Sequence, residues 1–208
     1  MSKISWKGST LLSPVPPAMV TCGDMEHSNI ITIAWTGILN SRPPKTYISV
    51  RPQRFSHKII SETREFVINL TTAELVRHAD FCGVRSGRDL DKFALCGLHK
   101  ETASQVQCPL LAESPLALEC RVTDIVPLGS HDMFIADILA VDAEESLLDA
   151  DGRLCMERAS LAAYAHGDYY ALGRKLGDFG FSVRKKSTAR RNGTQKHKKT
   201  ATEKENSK

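Results

Sequence analysis

Short runs rich in β-branched and aromatic residues, each ended by turn residues, constrain the fold of this chain most. Six of them are long enough to be strands: residues 19–22, 29–35, 46–50, 66–70, 116–128 and 133–143. Residues 129–132, Gly-Ser-His-Asp, are typical of a hairpin connection between the last two. Because strands that follow one another with short connections usually pair antiparallel, the pattern predicts a mainly β barrel or sandwich, not a doubly wound parallel sheet.

Helical spacing occurs in a few short segments between these strands. We predict helices at 56–62, at 72–81 with Thr72 as N-cap, at 90–96 and at 157–164. The chain has 208 residues, of which 41% are hydrophobic and 25% charged, and this composition is typical of globular proteins. It contains no internal repeat. We therefore expect one folded domain over residues 1–183.

The last 25 residues have a different composition. Residues 184–208 hold ten of the 28 Lys and Arg residues and two of the 24 Asp and Glu residues, so they carry +8 while residues 1–183 carry −4. They contain no aromatic residue and no periodic apolar pattern, so they are predicted to be a disordered basic tail. Such a run is typical of segments that bind nucleic acid or other anions weakly, and equally of solubilising extensions.

Cysteine usage and the N-terminus bear on the compartment. The six cysteines include no C-x-x-C pair, and several lie within apolar runs, which favours reduced thiols in the cytoplasm. The N-terminus lacks the uninterrupted apolar stretch of a signal peptide, and no stretch approaches ~18 apolar residues. We expect neither secretion nor membrane insertion.

The usual nucleotide and hydrolase motifs are absent from the sequence. It contains neither G-x-G-x-x-G nor G-x-x-x-x-G-K-[ST], so a phosphate site would have to be built in another way. It also lacks G-x-S-x-G and H-E-x-x-H, which argues against common hydrolases and zinc proteases. No metal site is predicted.

Residues 47–56 form the densest candidate site. A strand ends near Val50, Pro52 removes a backbone N–H, and Ser56 is placed to cap a helix. Arg51 and Arg54 add guanidinium donors beside that helix N-terminus, and this combination suits a terminal phosphate. The alternative is a pair of surface arginines next to an ordinary cap.

Residues 29–37, NIITIAWTG, do not alternate as a half-exposed strand would. Both faces of the strand are covered, either by the protein core or by a planar cofactor on one side. Such a cofactor would use backbone N–H and C=O groups for its polar edge and Ile or Trp side chains for its face. Core packing alone explains the same residues more simply.

Seven segments, taken together and in order, resemble a known family. They are NIITIAWTG at 29–37, RPPKTYISVRPQRFS at 42–56, FVINL at 66–70, FCGVRSGRDLDK at 81–92, PLGSHDMFIA at 127–136, AYAHGDYY at 163–170 and LGDFGFSV at 176–183. This order resembles the flavoredoxin branch of the flavin reductase-like proteins. The resemblance implies a split β-barrel of Greek-key type with short inserted helices, a homodimer, and FMN bound without covalent attachment near the dimer interface.

The resemblance also implies an activity. The chain is expected to be an FMN-binding NAD(P)H:flavin oxidoreductase, which passes electrons from NAD(P)H through bound FMN to flavin or to another small-molecule or protein acceptor. The alternative within the same class is an FMN electron carrier without its own NAD(P)H turnover. A different class, a nucleic-acid or anion-binding module, rests on the basic tail alone.

The resemblance carries over to individual residues. Those matched to FMN contacts are Asn29, Thr32, Trp35, Thr36, Ser49, Val50, Arg51, Arg54, Phe55, Ser56, Asn69, Cys82, Gly83, Ser86, Gly87, Asp89 and Lys92. His131 and His166 match histidines near the open flavin face and are the candidate catalytic residues. A histidine in a Ser-His-Asp hairpin is also often a simple turn residue, and Cys82, with no cationic neighbour in sequence, also fits as a packed small residue.

Overall fold

The structure, a computed structural model, describes residues 1–184. Apart from Arg184, the predicted tail at 184–208 lies outside the described residues. Contacts between residues divide the chain into two units, 1–174 and 175–208. In the second unit the described part is short and holds one 3-10 turn, Phe181–Val183, and an ion pair between Lys175 Nζ and Asp178 Oδ1 at 2.8 Å.

The first unit is mainly β, as predicted. Its strands are β1 Ala18–Gly23, β2 Ser28–Ile33, β3 Thr36–Ser41, β4 Pro44–Val50, β5 Glu65–Asn69, β6 Lys100–Glu101, β7 Leu110–Leu111, β8 Leu116–Pro127, β9 Asp132–Ala143, β10 Ala162–Ala165 and β11 Asp168–Ala171. Its helices are α1 Phe55–Thr63, α2 Val76–Val84 and α3 Lys92–Cys96, with 3-10 turns at Glu145–Leu147 and Met156–Arg158. Among residues 1–184, no helix has the length and apolar character needed to cross a membrane.

Seven strands form one antiparallel sheet in the order β2-β1-β5-β8-β9-β4-β3. The two outermost strands, β2 and β3, are consecutive in the chain and are separated only by Ala34 and Trp35. The sheet therefore has to curl until its two edges meet at this pair of residues, which we call the corner. The backbone N–H of Ser49 on β4 donates to the carbonyl of Trp35 at 2.9 Å and continues the pairing of β3 with β4 into the corner.

The inside of the curled sheet is filled by alternate side chains of its strands. Val20 of β1, Ile48 of β4, Phe66 of β5 and Phe134 of β9 are fully buried there, and Ile60 of α1 packs into the same cluster. Replacing a buried phenylalanine by alanine costs about 3–5 kcal/mol in typical cores. This core holds the ends of β2 and β4, which carry the candidate site, in fixed positions.

A second apolar cluster fixes α2 and α3 on the outside of β1 and β2. Ala79 and Cys82 of α2 and Phe93 of α3 pack against Met19 and Ile30. Because β1 is covered on both faces, all six of its residues are buried. The six cysteines are all free thiols, as the sequence predicts, and the cytoplasmic location stays a prediction.

Three predicted helical features are wrong. Helix α1 begins at Phe55 after Arg54, and Ser56 lies inside its first turn and caps nothing. Helix α2 begins later than predicted, at Val76 with Leu75 as N-cap, and the Thr72 hydroxyl accepts a hydrogen bond from the Leu75 N–H at 3.2 Å.

The predicted helix at 157–164 is instead a 3-10 turn followed by β10. Ser160 has a left-handed φ of 47°, which breaks the helix, and Leu161 forms an isolated β-bridge with Thr72. Tertiary pairing therefore overrides the local helical spacing. The strand β3 was not predicted, because Gly37 and the two prolines after Arg42 resemble a connection.

Candidate functional site

A cavity of about 340 Å³ lies along the corner, beside the backbone of residues 31–35. Its other walls come from the end of β4, from α2, from the β8–β9 hairpin and from the β10–β11 hairpin. Eight of the predicted site residues line it: Thr32, Trp35, Ser49, Val50, Arg51, Arg54, Gly83 and His131. The structure thus brings together residues that are up to a hundred positions apart in the sequence. We call this space the corner cavity.

Close packing of α2 against β2 forms one wall of the corner cavity. The Thr32 hydroxyl donates to the carbonyl of Ala79 and ties the two elements together. A Cβ on Gly83 would lie 3.3 Å from Thr32 Cβ, which is tighter than normal contact. Gly83 therefore permits the helix to approach the strand, and the main chain of residues 31–35 forms the flat side of the cavity.

His131 lies at the mouth of the corner cavity against Trp35. The two ring centroids are 4.5 Å apart with the planes inclined by 61°, and Ser130 Oγ lies 2.9 Å from His131 Nδ1. Burial, and then the charges of Arg51 and Arg54, lower the pKa of His131 below its ordinary value of 6.5. The imidazole is therefore neutral at neutral pH and can both donate and accept a hydrogen bond.

A second and smaller cavity, of about 100 Å³, lies at the start of α1, and we call it the anion pocket. Three cations line it, Arg54, Arg85 and Lys92, and no carboxylate does so within the described chain. The Lys92 side chain is only 3% exposed, and its ammonium donates to the carbonyls of Ile30 and Cys82, each at 2.8 Å. Burial lowers the pKa of Lys92.

A buried ammonium that has only neutral carbonyl partners leaves its charge uncompensated. The size of the anion pocket and its three cations suit a phosphate group. Ser56 is fully buried beside it, and its Oγ accepts a hydrogen bond from Asn29 Nδ2 at 2.7 Å. Ser56 was predicted to act as a helix cap, but it caps nothing and is instead one of the residues that line the pocket. Predicted residues that line this pocket are Asn29, Arg54, Phe55, Ser56, Ser86, Gly87 and Lys92.

The remaining predicted residues line neither cavity. Asn69 is fully buried and links strands, because its Nδ2 donates to the Met19 carbonyl and its Oδ1 accepts from the Leu111 N–H, both at 2.9 Å. Cys82 is buried in the apolar cluster, where burial raises its pKa to about 12, and only its carbonyl serves the site.

Three further predicted residues lie around the edges. Asp89 lines a separate acidic cavity next to the anion pocket. Thr36 lines a neighbouring groove that shares Trp35 with the corner cavity, and its hydroxyl donates to the Tyr47 carbonyl at 2.6 Å. His166 has a left-handed φ of 50° in the β10–β11 turn, and it is the adjacent Gly167 that lines the corner cavity.

Sequence reasoning missed an aromatic wall. Tyr164 and Tyr169 line the corner cavity with their ring centroids 5.2 Å apart, and the Tyr169 hydroxyl donates to Asp80 Oδ1 at 3.2 Å. Burial, and then the Asp80 charge, raise the pKa of Tyr169 to about 12, so its hydroxyl stays protonated. The alternation in AYAHGDYY was the available signal, and the mistaken helix at 157–164 concealed it.

Comparisons with known proteins agree with this geometry. The family model described as "Flavin reductase like domain" matches residues 11–173. The structure of the flavoredoxin of Desulfovibrio vulgaris (Miyazaki F) superposes with a TM-score of 0.82 at 32% sequence identity, over 88% of this chain and 100% of that one. The structure of a flavoredoxin from Methanosarcina acetivorans superposes with a TM-score of 0.79 at 23% identity, over 88% and 100% of the two chains, and shows likeness of fold alone.

A relative with a named activity is more distant in sequence. The "NADPH-flavin oxidoreductase" of Streptomyces viridifaciens is 27% identical over 138 residues, which cover 64% of this chain and 69% of that protein. The structural matches confirm the predicted split β-barrel, and the family match spans all of the elements that build the two cavities. The chain therefore belongs to the flavin reductase-like domain family.

Proposed function

We propose that this chain binds FMN and passes electrons from NAD(P)H through it to a free flavin, a ferric complex or another acceptor. The observation that carries the proposal is Lys92, a buried ammonium in a phosphate-sized pocket that adjoins a flat cavity. The corner cavity and the anion pocket share Ile31 and Arg54, so one molecule with a planar ring and a terminal phosphate can occupy both.

The residues present fit FMN. Arg54, Ser56 and Lys92 would hold the phosphate, and the backbone of residues 31–35 would meet the polar edge of the ring. Arg51 lines only the corner cavity, where its positive charge would lie beside the ring. When bound, FMN supplies the redox chemistry, so the protein has only to bind, orient and shield it.

If the anion pocket holds the phosphate of FMN, Arg54 and Arg51 should contribute differently to the affinity for FMN. Arg54→Ala should weaken FMN binding by roughly ten- to a hundredfold, since a hydrogen bond to a charged group is worth about 1.5–3 kcal/mol. Arg51→Ala should weaken it less, because Arg51 does not line the anion pocket. Titration of flavin-free protein with FMN, followed by flavin fluorescence, measures both.

Arg42→Ala is the control for this titration, since Arg42 is an exposed arginine that lines neither cavity. We expect it to leave the affinity unchanged. Equal losses for all three variants would show a general charge effect and contradict the phosphate assignment.

The electron donor is tested by anaerobic stopped-flow mixing of FMN-loaded protein with NADH or NADPH. We expect the flavin absorbance to bleach within the turnover time. Neutral His131 lies where it can contact a nicotinamide, so His131→Ala should raise KM more than it lowers kcat, because such a contact would be made equally in the ground and transition states. His166→Ala, which alters a residue outside both cavities, should change neither.

An electron carrier is the second candidate, and the similarity to a flavoredoxin at 32% identity favours it. Its signature would be a flavin that stays oxidised for minutes in excess NADH and NADPH but bleaches with dithionite or a reduced redox protein. That result would contradict the reductase proposal and would still be consistent with the proposed FMN site.

We also propose that the protein is a homodimer. Ile38 on the edge strand β3 is 67% exposed, and its neighbour Leu39 is exposed as well. Two adjacent apolar side chains on an edge strand favour burial against a second copy. Light scattering should give twice the 23.0 kDa mass of one chain. A monomer at micromolar concentration would contradict this proposal.

A further inference from the structure

A groove of about 400 Å³ adjoins the corner cavity at Trp35 and His131. It forms where the N-terminal segment, residues 10–15, passes over the corner. Val15 anchors this segment through two backbone hydrogen bonds with Tyr164, at 2.8 and 2.9 Å. Four residues line both spaces, Ala34, Trp35, Ser49 and His131, so a molecule in the groove would lie next to the corner cavity.

The walls of this groove are apolar and its polar atoms lie together. Leu12, Val15, Trp35 and Leu128 supply apolar surface, while Ser49, Ser130 and His131 supply hydroxyl and imidazole groups. Leu12 is 86% exposed and Leu128 is 59% exposed. Large apolar side chains on two sides of one concave surface favour a ligand that covers them.

The charge of the residues that line the groove limits which ligands it can bind. Of the residues that line the groove in the described chain, none carries a carboxylate, an ammonium or a guanidinium group. Arg51 and Arg54 line the corner cavity and not the groove. Since the imidazole of His131 is neutral at neutral pH, a charged group in the groove would lose water without gaining a counterion.

The size and shape of the groove limit the choice of ligand further. Cavities that bind small molecules usually measure about 300–1,000 Å³, so the groove suits one small molecule and not a dinucleotide. The indole of Trp35 favours a flat ring beside it. Ser130 and His131 would then meet an oxygen atom at the edge of that ring.

We propose that the groove binds an uncharged, planar, conjugated cyclic carbonyl compound as the electron acceptor, of which a quinone is the simplest redox-active member. The inference rests on the proposed function for its source of electrons. The quinone takes up two electrons and two protons and becomes the hydroquinone, while reduced FMN returns to its oxidised state. NAD(P)H is the reductant that then restores reduced FMN.

Binding is tested with a redox-inert pair of probes of the same ring size. 2-Acetonaphthone is a neutral ketone, and 2-naphthoate carries a carboxylate at the same position. Calorimetric titration of both FMN-loaded and flavin-free protein should show the ketone binding at least about tenfold more tightly than the carboxylate, because the groove offers no counterion. Equal affinity for the two probes would overturn the proposal.

A charge placed in the groove should reverse this preference. Leu128→Lys adds a cation on an exposed hairpin, so 2-naphthoate should gain at least about tenfold relative to the ketone. The matched control is Leu95→Lys, since Leu95 of α3 is 64% exposed and lies outside the groove. An equal gain in the control, or no gain in Leu128→Lys, would overturn the proposal.

The remaining outcomes separate the two levels of inference. If Leu128→Lys converts a dimer into a monomer and neither probe binds the original protein, a second copy of the chain fills the groove, and the proposal is wrong. Ketone binding by a protein that takes up no FMN when FMN is added would contradict the proposed function and leave the groove assignment standing. If NAD(P)H bleaches the bound FMN but the protein binds no ketone, the proposed function stands and the groove assignment is wrong.

Discussion

Gly87 lies against the side chain of Asn29 at the edge of the anion pocket. A Cβ at this position would lie 2.1 Å from Asn29 Oδ1 and 2.5 Å from its Cγ, so Asn29 would have to move. That movement would break the hydrogen bond from Asn29 to Ser56. The smallest side-chain addition therefore disturbs a hydrogen bond between two residues that line the anion pocket.

We expect Gly87→Ala to lower the free energy of unfolding by about 1–3 kcal/mol, the usual cost of overpacking, and to weaken FMN binding. Thermal unfolding and FMN titration measure the two effects. Gly173→Ala is the control, because a Cβ there has no atom within 4 Å. Unchanged FMN affinity in Gly87→Ala would show that the position of Asn29 has no bearing on the pocket.

Some site residues can be found from local sequence, and others cannot. Arg54 and Ser56 stand out because a strand end, a proline and a helix start lie within ten residues. Lys92 is a candidate site residue because its ammonium is held by the carbonyls of Ile30 and Cys82, and Asp80 is one because it accepts a hydrogen bond from Tyr169. Contacts over such distances have no local signal, and only the family resemblance identified Lys92 in advance.

The loop at residues 104–106 is held by one carboxylate of strand β8. Glu119 is fully buried, and it accepts hydrogen bonds from the N–H groups of Ser104, Gln105 and Val106 and from the Ser104 hydroxyl, at 2.6–3.1 Å. Burial alone would raise the pKa of Glu119, but these hydrogen bonds together hold it below its ordinary value of 4.5.

Glu119→Gln places an NH2 group among N–H donors, so we expect it to lower the free energy of unfolding at neutral pH by about 1–3 kcal/mol. A depressed folded-state pKa stabilises the protein above the unfolded-state value, and this contribution is lost as the pH falls through the folded-state value. The difference between the two proteins should therefore shrink below about pH 4.5. Urea unfolding across this range measures it.

Asp142 on the neighbouring strand β9 has a pKa shift of the opposite sign to that of Glu119. Burial, and then the charge of Glu119, raise the pKa of Asp142 above its ordinary value of 3.8. Its ionised form therefore costs stability at neutral pH, and Asp142→Asn should raise the free energy of unfolding there but not below about pH 3.8. Curves for the two variants that run parallel at all pH values would contradict the coupling of these carboxyl groups.

Strands were easier to predict than the elements around them. The six predicted strands lie within one or two residues of observed ones, because alternation and flanking turns are local properties. The segment 157–164 failed because its conformation is set by pairing with residues far away in the chain: Leu161 bridges to Thr72, and β10 pairs with β11. Strand β3 was missed because Gly37 and the two prolines after Arg42 resemble a connection.

At the scale of the whole molecule, charge is unevenly distributed along the chain. Residues 184–208 carry +8, whereas every residue that lines the corner cavity, the anion pocket or the groove lies before position 174. We expect deletion of residues 185–208 to leave FMN content, thermal midpoint and oligomeric state unchanged. Binding to a polyanion such as heparin should weaken and lose most of its salt dependence.

The control for this deletion is a full-length chain in which the lysines and arginines of residues 185–208 are replaced by glutamine. It should match the deletion in polyanion binding. A deletion that loses FMN while the glutamine variant keeps it would show that the tail contributes to the folded domain by means other than charge.

The corner formed by Ala34 and Trp35 has a mechanical consequence. The sheet has one seam, and the residues that would contact FMN lie on both of its sides: Thr32 before it, and Ser49 and Arg51 across it. A ligand in the corner cavity would contact both sides of the seam, so FMN binding should stabilise the closed barrel against opening at this seam. Some amides of β2 and β4 exchange hydrogen only when the seam opens. FMN should lower the exchange rates of these amides more than those of other amides.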